Sequence, residues 1–317
     1  MYCNWTVFNC KIAVAIVYLQ HLENYLYSEK LRGVMLMALV GVIGAGVMGR
    51  GVAQSLAQAQ HDVLLLDISE SILEKAREEV YNSLRFQGMF NKNAFSEDPK
   101  KVLDRIRFSY DYQMLCKVDY VVENITEEWN VKKEIYIKID DICKEDCLFM
   151  VNTSCVSITQ IAALTKRADR VIGTHFMNPV PMIAAVEVIR GYHTTDDTVE
   201  ATRRFIESMN KECIVVNDYP GFVSNRISHL MMNEAAFIVQ DQVAGPQEID
   251  DIFKKCYGHK MGPLETADLI GLDTVVNSID VLYESYGDPK FRCCPLLRKM
   301  VHAGMHGRKT GRGFYTY

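Results

Sequence analysis

Residues 39–49 read Leu39-Val40-Gly41-Val42-Ile43-Gly44-Ala45-Gly46-Val47-Met48-Gly49. An apolar run meets three glycines in the pattern G-x-G-x-x-G, and apolar periodicity resumes through Val52, Ala53, Leu56 and Ala57. Strand, glycine turn and helix in that order are the setting a dinucleotide-binding fingerprint requires. Gly44 permits the tight turn, Gly46 lets the backbone approach a pyrophosphate, and Gly49 lets helix and strand pack closely. With Ala45, Val47 and Met48 between the glycines, the loop offers backbone N–H groups and the positive end of a helix to the phosphates. The next apolar stretch, His61 to Leu66, ends in Asp67, eighteen residues after Gly49. An acid there binds the adenosine ribose hydroxyls. Asp67 would repel a 2′-phosphate, and Ile68 and Ser69 bring no Arg to hold one, so NAD rather than NADP is expected. The glycines alone would also fit a turn in some other α/β protein.

A chain of 317 residues has room for about two domains and a sizeable core. Its net charge of -5 is mild, which implies neither nucleic acid nor an anionic membrane surface as a partner. The ten cysteines are scattered. Cys143 and Cys147 have no matching second pair, so no metal site is expected, and a reduced cytoplasmic setting fits.

Residues 1–34 do not match the rest of the chain. Cys10 to Leu19 is apolar like a signal-peptide core, but no small-residue cleavage site comes after it and the stretch is too short to span a membrane. The first strand of such a fold ordinarily opens the chain, so 1–34 reads as an extension outside the fold. From there strands and helices alternate. Strands are expected at 38–43, 62–66, 118–122, 147–151, 170–174, 184–188 and 213–216. Helices are expected at 47–59, 71–89, 129–143 and 196–209, with a shorter one through Val102 and Ile106. This alternation argues a Rossmann-type doubly wound, mostly parallel sheet over 35–217. Beyond Asp218-Tyr219-Pro220-Gly221 only helical patterns run, at 222–243, 247–256, 265–285 and 295–303. Residues 218–317 therefore read as an all-helical C-terminal domain for substrate binding and dimerisation.

Ser154 and His175 fall at strand ends, where ligands sit in open α/β sheets. Glu187 lies inside the apolar strand Ala184-Ala185-Val186-Glu187-Val188-Ile189. A carboxylate there needs a partner, and a histidine is an effective one: it fixes the tautomer and raises the basicity of the far ring nitrogen. Asn225 opens the helix after Pro220-Gly221, where it faces the cleft between domains. Each has a plainer reading: a core histidine, a helix N-cap, a surface ion pair, a helix surface.

The longer blocks favour chemistry. Asn152-Thr153-Ser154, His175-Phe176-Met177-Asn178-Pro179-Val180-Pro181, Val186-Glu187-Val188 and Pro220-Gly221-Phe222-Val223-Ser224-Asn225-Arg226 resemble the 3-hydroxyacyl-CoA dehydrogenase family. So do Gly262-Pro263-Leu264-Glu265, Asp268-Leu269-Ile270-Gly271-Leu272-Asp273 and Lys309-Thr310-Gly311-Arg312-Gly313-Phe314-Tyr315. The likeness runs from Met37 to Tyr317 and is greatest to bacterial 3-hydroxybutyryl-CoA dehydrogenases. It implies reversible NAD-dependent oxidation of a 3-hydroxyacyl thioester, as in fatty acid metabolism. His175 would be the base, Glu187 its orienting partner, Ser154 a hydrogen-bond donor to the reacting oxygen and Asn225 a holder of substrate oxygens. It also implies cofactor contacts at Glu127, Lys132, Ser154, Asn178 and Lys309, a CoA contact at Ser83, and a homodimer.

Two positions depart from the family pattern. A Lys that reaches CoA is replaced by Phe90, with Arg85 and Lys92 near in sequence, and a second Lys is replaced by Ala184. The same reaction on an acyl carrier protein, in polyketide extender-unit synthesis, is therefore the alternative. A sugar-acid relative resembling the lambda-crystallin branch is opposed by the Gly-Pro-Leu-Glu and Lys-Thr-Gly blocks. A non-catalytic NAD-binding protein is opposed by retention of His175 and Glu187.

Overall fold

Short Val/Leu/Ile runs bounded by glycine or acid make the strands, and most are buried on both faces, as parallel sheets require. The computed structural model describes residues 37–90 and 97–317, and the secondary-structure elements belong to one body, Leu39–Tyr317. The expectation for 1–34 lies outside the described residues.

Strand β1 (Leu39–Ile43) leads into helix α1 (Val47–Gln58), then β2 (Asp62–Leu66), α2 (Glu70–Phe90), α3 (Pro99–Asp104) and β3 (Ile106–Ser109). After β4 (Tyr120–Glu123) come α4 (Trp129–Ile142), β5 (Leu148–Val151), α5 (Ile158–Ala162) and β6 (Val171–His175). Strand β7 (Ala185–Arg190), α6 (Asp196–Ser208) and β8 (Glu212–Asn217) complete an eight-stranded sheet ordered β3-β2-β1-β4-β5-β6-β7-β8. All neighbours run parallel except β6 and β7. The order reverses around β1, which opens a crevice at the carboxyl ends of β1 and β4. A Rossmann-type sheet with helices after it is thus the architecture observed.

The expected helix through Ile106 stops at Asp104, and Ile106 instead begins β3, opposite Val63. A four-residue edge strand is too short for its period to show against a preceding helix.

The remaining helices are α7 (Ser224–Gln240), α8 (Pro246–Cys256), α9 (Pro263–Ile270), α10 (Leu272–Tyr286) and α11 (Pro295–His302). The single helix expected over 265–285 is two. Gly271, at φ 104°, adopts a conformation no helix tolerates and breaks it. Two fully buried carboxylates organise this part. Asp250 accepts from the amides of Leu264 (2.9 Å) and Glu265 (2.8 Å), which caps α9, and from the Tyr315 hydroxyl (2.7 Å). Asp268 accepts from the amides of Phe314 and Tyr315, both at 3.0 Å, and so pins the C-terminal tail.

The glycine loop is fixed by sterics. A Cβ on Gly49 would stand 1.7 Å from the Gly44 carbonyl oxygen. Gly49→Ala must therefore push α1 off β1. It is expected to destabilise the protein by about 2 kcal/mol or more and to weaken NADH binding, as read by urea denaturation and NADH fluorescence titration. Native stability with native NADH affinity would contradict this packing account.

Candidate active site

The loop after β1 has the features a dinucleotide phosphate needs. Helix α1 begins after its N-cap Gly46, which offers no side chain to cap the first N–H groups. Above Gly46 nothing lies within 4 Å of where a Cβ would be, so a pyrophosphate can close on the backbone. Asp67, at the end of β2, accepts from the Ala45 amide (2.7 Å) and the Ile68 amide (2.7 Å). Its carboxylate is thereby held beside the loop, half-buried. Val47, Met48 and Gly49 form the first turn of α1.

Strands β6 and β7 reverse direction after Pro179-Val180-Pro181, and their register sets His175 directly opposite Glu187. Glu187 Oε2 lies 2.9 Å from His175 Nδ1. A carboxylate only accepts, so Nδ1 carries a hydrogen, and in the neutral ring the lone pair is on Nε2. That Nε2 faces the Ser154 hydroxyl at 3.2 Å. The other Glu187 oxygen accepts from the amides of Val223 (2.9 Å) and Ser224 (3.1 Å), where α7 begins. The Ser224 hydroxyl donates to Oε2 at 2.6 Å. Burial pushes the Glu187 carboxyl up. The bonds from His175, the Ser224 hydroxyl and the two amides outweigh burial and hold its pKa at about 2.

Ser154 is placed by Glu127, which accepts from the Ser154 amide (2.6 Å) and the Thr153 hydroxyl (2.7 Å). The Asn225 amide donates to the Ser154 carbonyl at 2.9 Å, which ties α7 to the loop after β5. His175, Glu187, Ser154, Asn225 and Glu127 thus form one connected set.

Other expected positions fall elsewhere. Lys132, expected at the cofactor, is fully buried, and its Nζ donates to both Glu123 oxygens at 2.9 Å. Its Nζ is 3.8 Å from Glu127, so it supports the acid that holds Ser154. Lys309 bonds Asp273 at the start of α10 (2.6 Å) and is not joined to the cluster. Asn178 is exposed just past β6. Ser83 is half-buried on α2, which packs on α1, α3 and β3 at the far edge of the sheet. Ala184 is exposed, while the Phe90 side chain and Lys92 fall outside the described residues. No metal-ligand cluster occurs among the described residues, and no described helix is long and apolar enough to cross a membrane.

Sequence reasoning missed Ser224, although it stands directly before Asn225. It also missed Asn124 and Asn152, paired at 2.6 Å, with Asn152 accepting from the Phe176 amide (3.2 Å) just after His175. An Asn at each of two strand ends was the available signal.

The family model of the 3-hydroxyacyl-CoA dehydrogenase NAD binding domain matches residues 39–219, and that of its C-terminal domain matches 221–317. The chain belongs to this family. It is therefore an NAD-dependent oxidoreductase. The 3-hydroxybutyryl-CoA dehydrogenase of Clostridioides difficile is 42% identical over 281 residues, covering 88% of this chain and 99% of that protein. Human mitochondrial hydroxyacyl-coenzyme A dehydrogenase is 37% identical over 287 residues, covering 88% of this chain and 90% of that one. The crystal structure of (S)-3-hydroxybutyryl-CoA dehydrogenase from Ralstonia eutropha superposes with a TM-score of 0.86 at 43% identity, over 89% of this chain and 99% of that one.

Glu187 has a folded pKa depressed from 4.5 to about 2, so its contribution to stability is present above the unfolded value and lost as pH falls from 4.5 towards 2. That contribution is on the order of 3 kcal/mol. The stability gap between wild type and Glu187→Gln is expected to narrow steadily in that window, as measured by urea denaturation. A gap independent of pH would show that the bonds to the carboxylate do not stabilise the fold. Asp67→Ala is expected to weaken NADH binding roughly tenfold and to relax discrimination against NADPH. An unchanged cofactor preference would remove Asp67 from the ribose site.

Proposed function

We propose that the cluster oxidises a 3-hydroxyacyl-CoA to the 3-ketoacyl-CoA, reversibly, on acyl chains of the 3-hydroxybutyryl class. The observation that carries this is the bare Nε2 of His175, with Nδ1 held by Glu187 and the Ser154 hydroxyl opposite, at the carboxyl end of the sheet. An alcohol cannot release hydride from its carbon unless its proton is removed, so one base beside the nicotinamide is the minimum requirement. His175 Nε2 takes the proton of the 3-hydroxyl. Glu187 stabilises the imidazolium that results. The Ser154 hydroxyl donates to the same substrate oxygen as it becomes a carbonyl, and Asn225 holds the substrate oxygens beside it. Bound NAD supplies the hydride acceptor. In the reverse direction His175 returns the proton to the ketone oxygen.

The loop 44–49 and Asp67 hold the cofactor in this reading, with Glu127 and Asn178 lining the nicotinamide end. Ser83 meets the CoA moiety. Residues 35–217 act as the NAD-binding unit and 218–317 as the substrate and dimerisation unit. The enzyme works as a cytoplasmic homodimer in fatty acid metabolism. Family likeness supports the dimer, as do exposed apolar side chains at Val243, Ile252, Tyr257 and Leu269 on and beside α8 and α9. Sedimentation at twice the chain mass is the expected result.

NADH consumption with acetoacetyl-CoA is the direct test of the reaction. His175→Ala is expected to lower kcat by roughly 10²–10⁴-fold with NADH affinity kept. Near-native turnover in that variant would remove His175 as the base.

The exposed Ala184 favours a second reading, the same chemistry on an acyl carrier protein. CoA's 3′-phosphate favours a nearby Lys or Arg. An enzyme that reads CoA should lose roughly tenfold or more in kcat/KM on truncation to acetoacetyl-pantetheine, because a charged contact is worth about 1.5–3 kcal/mol. A smaller loss, with faster turnover of a carrier-protein thioester, would favour the carrier.

A further inference from the structure

One buried polar group beside the cluster plays no part in the removal of the 3-hydroxyl proton. Helix α7 carries Asn225 in its first turn and His229 one turn further on, so the two share a face. His229 is 3% exposed. Its Nδ1 sits 3.0 Å from the Asn225 carbonyl oxygen. A carbonyl only accepts, so Nδ1 carries the hydrogen and Nε2 is a bare acceptor. That Nε2 is buried, and no hydrogen-bond partner for it occurs among the described residues. Burial lowers the pKa of the ring, the bond to the Asn225 carbonyl raises it, and repulsion from His175, whenever that ring is protonated, lowers it. An apolar side chain would fill this space without leaving a nitrogen unsatisfied.

The reaction does not provide the missing donor. The proton of the 3-hydroxyl goes to His175, and the thioester carbonyl is itself an acceptor. A donor on the acyl group, one the basic reaction does not require, would satisfy Nε2. We propose that His229 is a specificity residue whose Nε2 accepts a hydrogen bond from a second hydroxyl of the acyl group, on a carbon flanking C3. This rests on the dehydrogenase reading above and narrows its substrate to dihydroxyacyl thioesters. Asn225 transmits the fit, because its backbone carbonyl holds the His229 ring and its side chain holds the Ser154 loop.

The test uses pantetheine thioesters, which leave the carrier out of the comparison. NADH formation is measured with 3-hydroxybutyryl-, 2,3-dihydroxybutyryl- and 3,4-dihydroxybutyryl-pantetheine. Wild type is expected to prefer one dihydroxy substrate over the monohydroxy one by roughly tenfold or more in kcat/KM, and the preferred one locates the hydroxyl at C2 or C4. His229→Asn retains a donor for the Asn225 carbonyl but lacks the outer nitrogen, and is expected to lose that preference. His229→Gln places an amide oxygen near the Nε2 position and should restore part of it. A structural role alone would lower all three substrates together, and that result would overturn the proposal. So would a wild type with no preference, a result that stands even if His229→Asn fails to fold. Turnover of the monohydroxy substrate in that case leaves the dehydrogenase reading intact. Absence of NADH with every substrate would overturn both.

Discussion

The bond between His175 and Glu187 is the constraint on which the site depends, and it exists because one strand pair runs the wrong way. In a fully parallel sheet β7 would lie in another register with its own crossover helix. Here the chain reverses after Pro179-Val180-Pro181, and the antiparallel register puts the acid across from the base. A cross-strand pair is held by two backbones, so the imidazole is oriented without reliance on a flexible loop.

Glu187 does a second thing with the same carboxylate. By accepting from the amides of Val223 and Ser224 it caps the start of α7, where the sheet hands over to the helices. Negative charge at a helix N-terminus is favourable. Asn225 then reaches from α7 to the Ser154 loop, so base, acid and hydroxyl are fixed from both parts of the chain. On the other side Glu127 holds Ser154, with Lys132 and Glu123 buried behind it. A buried pair of this kind is costly to break, because either partner alone would be an uncompensated charge.

The C-terminal blocks serve a different end. The backbone amides at the end of the chain terminate on Asp268, and those at the start of α9 terminate on Asp250. A Cβ on Gly313 would stand 2.0 Å from an Asp268 oxygen, which explains the glycine in Gly311-Arg312-Gly313. These residues carry the family likeness, and their buried carboxylates pack the helical part together.

Much of this was legible in the chain itself. Local patterns determine local outcomes: the glycine spacing, the acid after the second strand and the apolar runs dictate strand, turn and helix wherever an element is long enough to show its period. The buried acid in β7 announced that it needed a partner, since a carboxylate in an apolar strand has no local remedy. What a linear pattern does not carry is which face meets which. The short strand β3 took its identity from pairing with β2, and the break at Gly271 came from a backbone angle that periodicity does not register. Lys132 reads as a cofactor contact by position in the chain, but the fold turns it inward onto Glu123. Ser224 and His229 drew no notice because their neighbours, Glu187 and the Asn225 carbonyl, are set by register and by helix geometry. The sequence by itself determined the fold and the residue types of the site. Only the tertiary structure decided which of them meet, because hydrogen bonds between distant residues depend on register, burial and packing that no single stretch encodes.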